Sequence, residues 1–254
     1  MTINQNKTQP KNTFKRVILS FFLVFLWIVE FQAQEHKIDH VIILTPDLNT
    51  SVKNYIKEGF TFKNGRKHKN GIENAHIKFK NKSYIEFISL YHEPKDNLAK
   101  KYHDLLGDGE KGVFIVLSGL KIEAIAKKVE ALNITFEVIK SKHWNYLTFE
   151  KEIGLSHIFF IENNVKTQDS THLFNHSNNS KKIKSVHING NDLTLKLLEA
   201  IGLNYLGLNS EKHHVFYTHT GNIILNNSLE FENTYINKII FENATNEKSY
   251  QINF

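Results

Sequence analysis

The chain has 254 residues, 41% hydrophobic and 12% aromatic, with only three prolines and twelve glycines, so it can bury a core and is not a largely disordered chain. It has no cysteine, which excludes disulfides, thiolate metal sites, cysteine nucleophiles and lipid-modified cysteines. The formal net charge is +6, but half of that excess sits in the first 34 residues, where Lys7, Lys11, Lys15 and Arg16 face only Glu30; the later lysines are interleaved with Glu and Asn, so no nucleic-acid partner is expected.

Residues 1–34 read as an export signal. Lys11, Lys15 and Arg16 form a basic flank, and residues 17–29 are an apolar run broken only by Ser20. That run is shorter than the ~20 residues of a membrane span and suits a signal-peptide core. Phe31 and Gln32 are not the small residues a signal peptidase prefers, so two readings stay open. In one the signal is cleaved and the protein is periplasmic or secreted; in the other residues 17–29 anchor it, the only membrane contact expected.

Residues 38–44 are rich in β-branched residues and predict a buried strand. Pro46 and Asp47 stop it and cap a helix whose apolar face is Leu48, Val52, Tyr55 and Ile56, ended by Gly59. Short strands are expected at 60–63, 75–79 and 84–90, then a helix at 97–106 and a glycine-rich turn at 107–112. The same grammar then repeats: a strand at 113–117, a helix with Ile122, Ile125, Ala126 and Val129 on one face, and strands at 134–139, 146–149 and 158–161. The polar stretch 162–182 reads as a linker. A third, shorter pass starts at Ile183. Its helix opens with Asn191-Asp192-Leu193, placing Asp192 as the counterpart of Asp47, and it continues through Leu197, Leu198 and Ile201 to Gly202. Strands follow at 214–217, 223–225 and 236–241. Repetition of βαβββ units matters most, because one such unit cannot cover its own sheet.

The run Ile38-Asp39-His40-Val41-Ile42-Ile43-Leu44-Thr45-Pro46-Asp47-Leu48 resembles the opening strand and turn of the vicinal-oxygen-chelate superfamily. Gly65-Arg66, His68, Gly71, Asn74-Ala75 and Tyr84-Ile85-Glu86-Phe87 continue the likeness, and the pattern is similar to the glyoxalase-like domain. The resemblance covers residues 38–91 well and 112–162 weakly; the third pass is matched only by its repeat grammar. It implies an α+β fold of repeated βαβββ units whose sheets curl into an open cup. The domain organisation expected is a glyoxalase-like domain of two units at 35–162, a linker at 163–182, and a third, partial unit at 183–254 packing on the first two.

In that superfamily a divalent metal is held by first- and last-strand residues of paired units. Carried over, the resemblance implies His40 and Glu86 as ligands; an imidazole and a carboxylate suit Zn, Fe, Mn or Ni, acting as a Lewis acid on a substrate oxygen. The second unit offers Val113 and a residue near Phe159 at those places, and the third offers Ser185 and Leu225, none of which suits the metal. His157 and His187 lie two residues from the empty places and are the candidate substitutes, since strand side chains repeat every second residue. The alternative for His40 and Glu86 is a half-buried hydrogen-bonded pair.

Arg66, His68 and Asn74 are expected to border the cup, Arg66 as a bidentate partner for a substrate carboxylate or phosphate or as an ordinary exposed arginine. Trp144, after His143, would wall the pocket or be an edge aromatic. The adjacent pair His213-His214 points to opposite faces and is not read as a site. Three functions follow: a metal-dependent lyase, isomerase or dioxygenase acting on a small oxygenated molecule; a metal-free protein that sequesters one; or a degenerate interaction module. A homodimer is compatible with each. No serine-histidine-acid order, phosphate loop or dinucleotide fingerprint supports a hydrolase or a nucleotide enzyme.

Overall fold

A computed structural model of the chain describes residues 36–107, 109–149, 151–152, 154–165, 168–227, 236–244 and 249–254. The expected signal segment lies outside them. Among the described residues no helix is long and apolar enough to cross a membrane. Residues 35–254 form one compact unit.

The fold is α+β and, among the described residues, dominated by one mixed sheet of fourteen strands. The first unit comprises β1 (Lys37–Leu44), α1 (Leu48–Lys57), β2 (Lys63–Lys67), β3 (Ile72–Lys78) and β4 (Tyr84–Leu90). After α2 (Asn97–Leu105) comes the second: β5 (Lys111–Ser118), α3 (Ile122–Glu130), β6 (Glu137–Lys140), β7 (Trp144–Thr148) and β8 (Ile158–Asn163). The third has all five elements, where the sequence reading expects a partial unit: β9 (Ser180–Gly190), α4 (Asp192–Ala200), β10 (Asn204–Leu208), β11 (His214–Thr218) and β12 (Gly221–Asn227). The unforeseen strand is β10, whose Tyr205, Leu206 and Leu208 are exposed and give no inward-outward alternation. Two further strands close the chain, β13 (Ile236–Asn243) and β14 (Gln251–Asn253).

Each unit pairs its first strand parallel with its last, β1 with β4, β5 with β8 and β9 with β12. First strands then pair antiparallel, β1 with β5 and β9 with β13. The second of these pairings shows β13 playing the part of a fourth unit's first strand. The main path runs β10-β11-β12-β9-β13-β5-β1-β4-β3-β2, with β8, β7 and β6 continuing from β5. Central position explains why β1 and β5 are near-continuous apolar runs: both faces are covered.

One face packs against α1, α3 and α4 through Leu48, Tyr55, Ile122, Ile125, Val129, Leu197 and Leu198. The other face carries a smaller core under α2, where Ala99 and Tyr102 meet Ile42, Leu44, Ile72, Ile88 and Phe114. Asp47 caps α1 as expected, accepting from the backbone N–H groups of Asn49 at 2.9 Å and Thr50 at 3.1 Å. In α4 the cap is Asn191, within a capping box completed by Thr194, so the counterpart of Asp47 is Asn191 rather than Asp192. Residues of the expected linker are engaged: Thr171–Phe174 form a 3-10 turn, and the buried His176 accepts at Nδ1 from Thr61 N at 3.1 Å while its Nε2 donates to the Lys78 carbonyl at 3.0 Å.

Candidate functional site

Neighbouring residues of a strand point to opposite faces, yet Asp39 and His40 meet. The register between β1 and β5 shifts between Ile38 and His40, and such a bulge re-aims the chain. Asp39 Oδ1 thereby lies 2.8 Å from His40 Nδ1. A carboxylate can only accept, so Nδ1 carries the proton and Nε2 is the nitrogen left for other partners.

Strand β4 lies between β1 and β3. Glu86 stands opposite Ile42 on one side and opposite His76 on the other. Its carboxylate is consequently flanked by two imidazoles, one for each oxygen: His40 Nε2 is 3.6 Å from Oε2 and His76 Nε2 is 3.6 Å from Oε1. Asn74 Nδ2 donates to Oε1 at 2.7 Å. The Asn74 amide is held in turn at Oδ1 by the backbone N–H of Arg66, 3.0 Å away. Gly65 is needed beside it, because a Cβ there would collide with the Asn74 backbone and side-chain oxygens.

Burial acts to raise the Glu86 carboxyl, but the His76 imidazole, the charge of His40 and the Asn74 amide outweigh it and hold the group at about 2. So acidic a carboxyl is a poor proton acceptor near neutral pH, and Glu86 serves as a fixed anion. Around it stands an aromatic wall. Tyr84 stacks on His40 with centroids 4.4 Å apart, and Phe159 meets the same imidazole edge-on at 6.4 Å. Tyr146 lies 5.9 Å from Phe159, and Trp144 6.1 Å from Tyr146. Burial, then the nearby Glu86 charge, pushes the phenols of Tyr84, Tyr102 and Tyr146 up, which keeps all three as hydroxyl donors.

Of the residues expected from the sequence, His40, Glu86 and Asn74 come together. His68 borders them; burial and the Arg66 charge lower its pKa while Glu86 and Asn74 oppose the shift. Arg66 itself is exposed, and its backbone rather than its guanidinium supports the site. Trp144 is half-buried on β7 against the smaller core.

The substitute ligands are not delivered. His187 is on β9, three strands from β1 in the sheet, or roughly 14 Å at the usual spacing, and its Nε2 lies 3.2 Å from Ser185 Oγ. The last-strand residue beside His187 is Ile224, so Ile224 rather than Leu225 is the third-unit counterpart of Glu86. His157 precedes β8 and is fully buried, and Phe159 is the residue that reaches His40. The histidine that sequence reasoning missed is His76. Its signal was the period-two row Asn74, His76, Lys78 within one strand.

The fold family implies a divalent metal. Its donors would have to converge at about 2.0–2.2 Å from one point. Here the two imidazoles address opposite oxygens of a carboxylate from flanking strands, and Asn74 turns an N–H, not an acceptor, toward it. Among the described residues no group of three or more His, Asp or Glu is placed to hold a metal ion. The residues do not fit the metal.

Comparison with known proteins follows the fold. No curated protein matches the chain. A hypothetical protein from Staphylococcus aureus is similar in structure, with a TM-score of 0.59 and 15% identity over 83% of this chain and 92% of that one. A xylose isomerase-like TIM barrel/4-hydroxyphenylpyruvate dioxygenase fusion protein matches with a TM-score of 0.53 and 9% identity, over 80% of this chain and 36% of that one. Methylmalonyl-CoA epimerase from Mycobacterium tuberculosis matches over 50% of this chain and 87% of its own, at 15% identity and a TM-score of 0.39. The model of the glyoxalase-like domain matches residues 38–200, more than half of the chain and onward through α4 of the third unit. By that match the chain belongs to the glyoxalase-like domain family.

Proposed function

We propose that this chain is an exported glyoxalase-like protein that binds a small oxygenated molecule without a metal, over the sheet face bearing His40, His76, Glu86 and Asn74. In this reading that face is the inside of an open cup. The first two units, residues 35–162, supply the pocket, and residues 183–254 extend the sheet behind it.

The observation that carries the metal-independent reading is that His40 and His76 face different oxygens of the Glu86 carboxylate while Asn74 donates an N–H to one of them, so the donors do not converge on one point. Metal-stripped protein titrated with Zn²⁺, Mn²⁺, Fe²⁺ and Ni²⁺ is expected to bind all four weakly, and equally in the His40→Ala and Glu86→Ala variants. One tight site abolished by both substitutions overturns the reading. Export is checked by N-terminal sequencing of fractionated cells, with a mature chain beginning near residues 34–37 outside the cytoplasm as the expected outcome.

One observation favours a second reading. Asp39 orients the His40 imidazole through Nδ1, as general acid–base catalysts require. A lyase or isomerase would use His40 Nε2 to move a proton beside a substrate carbonyl, and Asp39→Asn would then depress turnover while leaving ligand affinity intact.

A further inference from the structure

We infer that Asn64 is a site of spontaneous covalent modification: its side-chain amide closes a ring onto the Gly65 nitrogen, and the isoaspartyl product unhooks Arg66 from Asn74 beside Glu86. The only co-reactant is water, and the modification stands or falls independently of any ligand.

Three asparagines of the chain precede a glycine: Asn64, Asn70 and Asn189. That order favours attack of the next backbone nitrogen on the side-chain amide, because glycine has no Cβ to crowd the approach. The structure treats the three differently. Asn189 Oδ1 accepts from Asn226 and Asn237, and the buried Gly190 lies in the ladder opposite Asn227. Asn70 Oδ1 accepts from Ile72 N at 3.3 Å, and its Nδ2 donates to Asp96 at 3.0 Å. The N–H of buried Gly71, which would have to attack there, donates to the His68 carbonyl at 3.1 Å. Asn64 is freer. It and Gly65 are exposed on β2, the edge of the sheet, and the Asn64 side chain makes no hydrogen bond among the described residues. The β2–β3 register shifts between Asn64 and Lys67, so Gly65 and Arg66 sit together opposite Asn74, in a bulge outside the regular ladder. Arg66 is exposed and makes no ion pair among the described residues, and its positive charge favours the amide anion through which the ring closes.

The deprotonated Gly65 nitrogen bonds to Asn64 Cγ, the Cγ–Nδ2 bond breaks, and ammonia leaves with a proton drawn from solvent. Water then adds to one carbonyl of the succinimide. Opening on one side gives aspartate; opening on the other gives isoaspartate, whose main chain runs through Cβ and Cγ. The isoaspartyl chain is longer by one carbon, about 1.5 Å. The bulge has no slack for it. A Cβ on Gly65 would fall 2.1 Å from both the carbonyl oxygen and Oδ1 of Asn74, and Arg66 N donates to the same Oδ1 at 3.0 Å. A displacement of that size exceeds what a hydrogen bond tolerates. Asn74 then loses the anchor that aims its Nδ2 at Glu86 Oε1, 2.7 Å away.

The test ages the full chain and the Asn64→Gln variant at mildly alkaline pH, folded and in urea, and follows the three Asn-Gly peptides by mass spectrometry with enzymatic methylation of isoaspartate. In urea all three should convert at similar rates, since the same dipeptide governs each. In the folded chain Asn64 should keep most of its unfolded rate, whereas Asn70 and Asn189 react only from locally opened states and should lag by about tenfold or more. Carboxyl-carbon NMR of the aged, isoaspartyl chain should show the Glu86 carboxyl raised toward its ordinary range, with no change in aged Asn64→Gln. Asn64→Asp adds the charge without the extra backbone atom and should move Glu86 less; circular dichroism separates either shift from loss of fold. Conversion of Asn64 no faster than Asn70 or Asn189 in the folded chain overturns the inference. So does an isoaspartyl chain whose Glu86 matches the fresh protein, or an Asn64→Asp chain that shifts Glu86 as far.

Discussion

The two ends of this sheet are built by the same rules and carry different chemistry. In the N-terminal half, β1 pairs antiparallel with β5, and the bulge at Asp39 together with the β3–β4 register gathers Asp39, His40, His76 and Glu86. In the C-terminal half β9 pairs with β13 in the same manner, yet the places of His40 and Glu86 hold Ser185 and Ile224. There the polar side chains serve one another: Asn189 Oδ1 accepts from Asn226 at 3.1 Å and from Asn237 at 2.8 Å. The comparison teaches that a sheet can be duplicated without its site, because pairing is a property of backbone and burial while a site needs particular side chains at particular registers.

The largest expected effect asks whether the halves are energetically separate. Phe87 and Phe216 are both fully buried, one in each half and both in the same core. Phe87→Ala and Phe216→Ala should each cost roughly 3–5 kcal/mol and shift one shared transition in urea. Two resolved transitions, each sensitive to one substitution, would divide the molecule.

Next in size is acid sensitivity. Burial holds His157 of the second unit to about 3, and burial with the Lys238 charge holds His187 of the third to about 4. Both stay neutral in the native state, so below pH ~6.5 the unfolded chain gains protons the native one refuses, and stability falls as pH drops toward those values. For His157 the loss is on the order of 3 kcal/mol by pH 4; it is smaller for His187, which meets some solvent. Glu86 acts lower: its contribution is intact above ~4.5 and disappears as pH falls toward 2. Urea melts at pH 7 and pH 4 should show His157→Gln flattening the dependence more than His187→Gln. Equal slopes in both variants and the parent would remove burial of these rings as the cause.

The smallest effects sharpen the contrast between site and scaffold. Asn74→Ala leaves a Glu86 oxygen without its donor and should cost about 1–3 kcal/mol, while raising the Glu86 carboxyl toward its ordinary range, as followed by carboxyl-carbon NMR. Asn237→Ala breaks one bond of the C-terminal amide trio and should cost about 0.5–1.5 kcal/mol with no response at Glu86.

Particular residues show how far the chain could be read in advance. Helix α1 was legible to its cap because Asp47 and the spacing of Leu48, Val52 and Tyr55 are local signals. The sequence pattern places a strand at 60–63, whereas β2 lies at Lys63–Lys67, since an exposed edge carries no burial pattern. His40, Glu86 and Asn74 were legible through family likeness, whereas Asp169 was hidden in a polar stretch with no periodicity to place it beside Lys63 and Lys78.

By itself the sequence determined the βαβββ order of the first two units, the cap of α1 and the apolar strands, because these depend on spacing and on contacts between near neighbours. Only the tertiary structure decided that His76, not His157 or His187, joins Glu86, that Asp39 turns to meet His40, and that α2 covers the same face. Each of these depends on cross-strand register, a bulge or the packing of distant elements, and a one-residue slip would send every side chain of a strand to the opposite face.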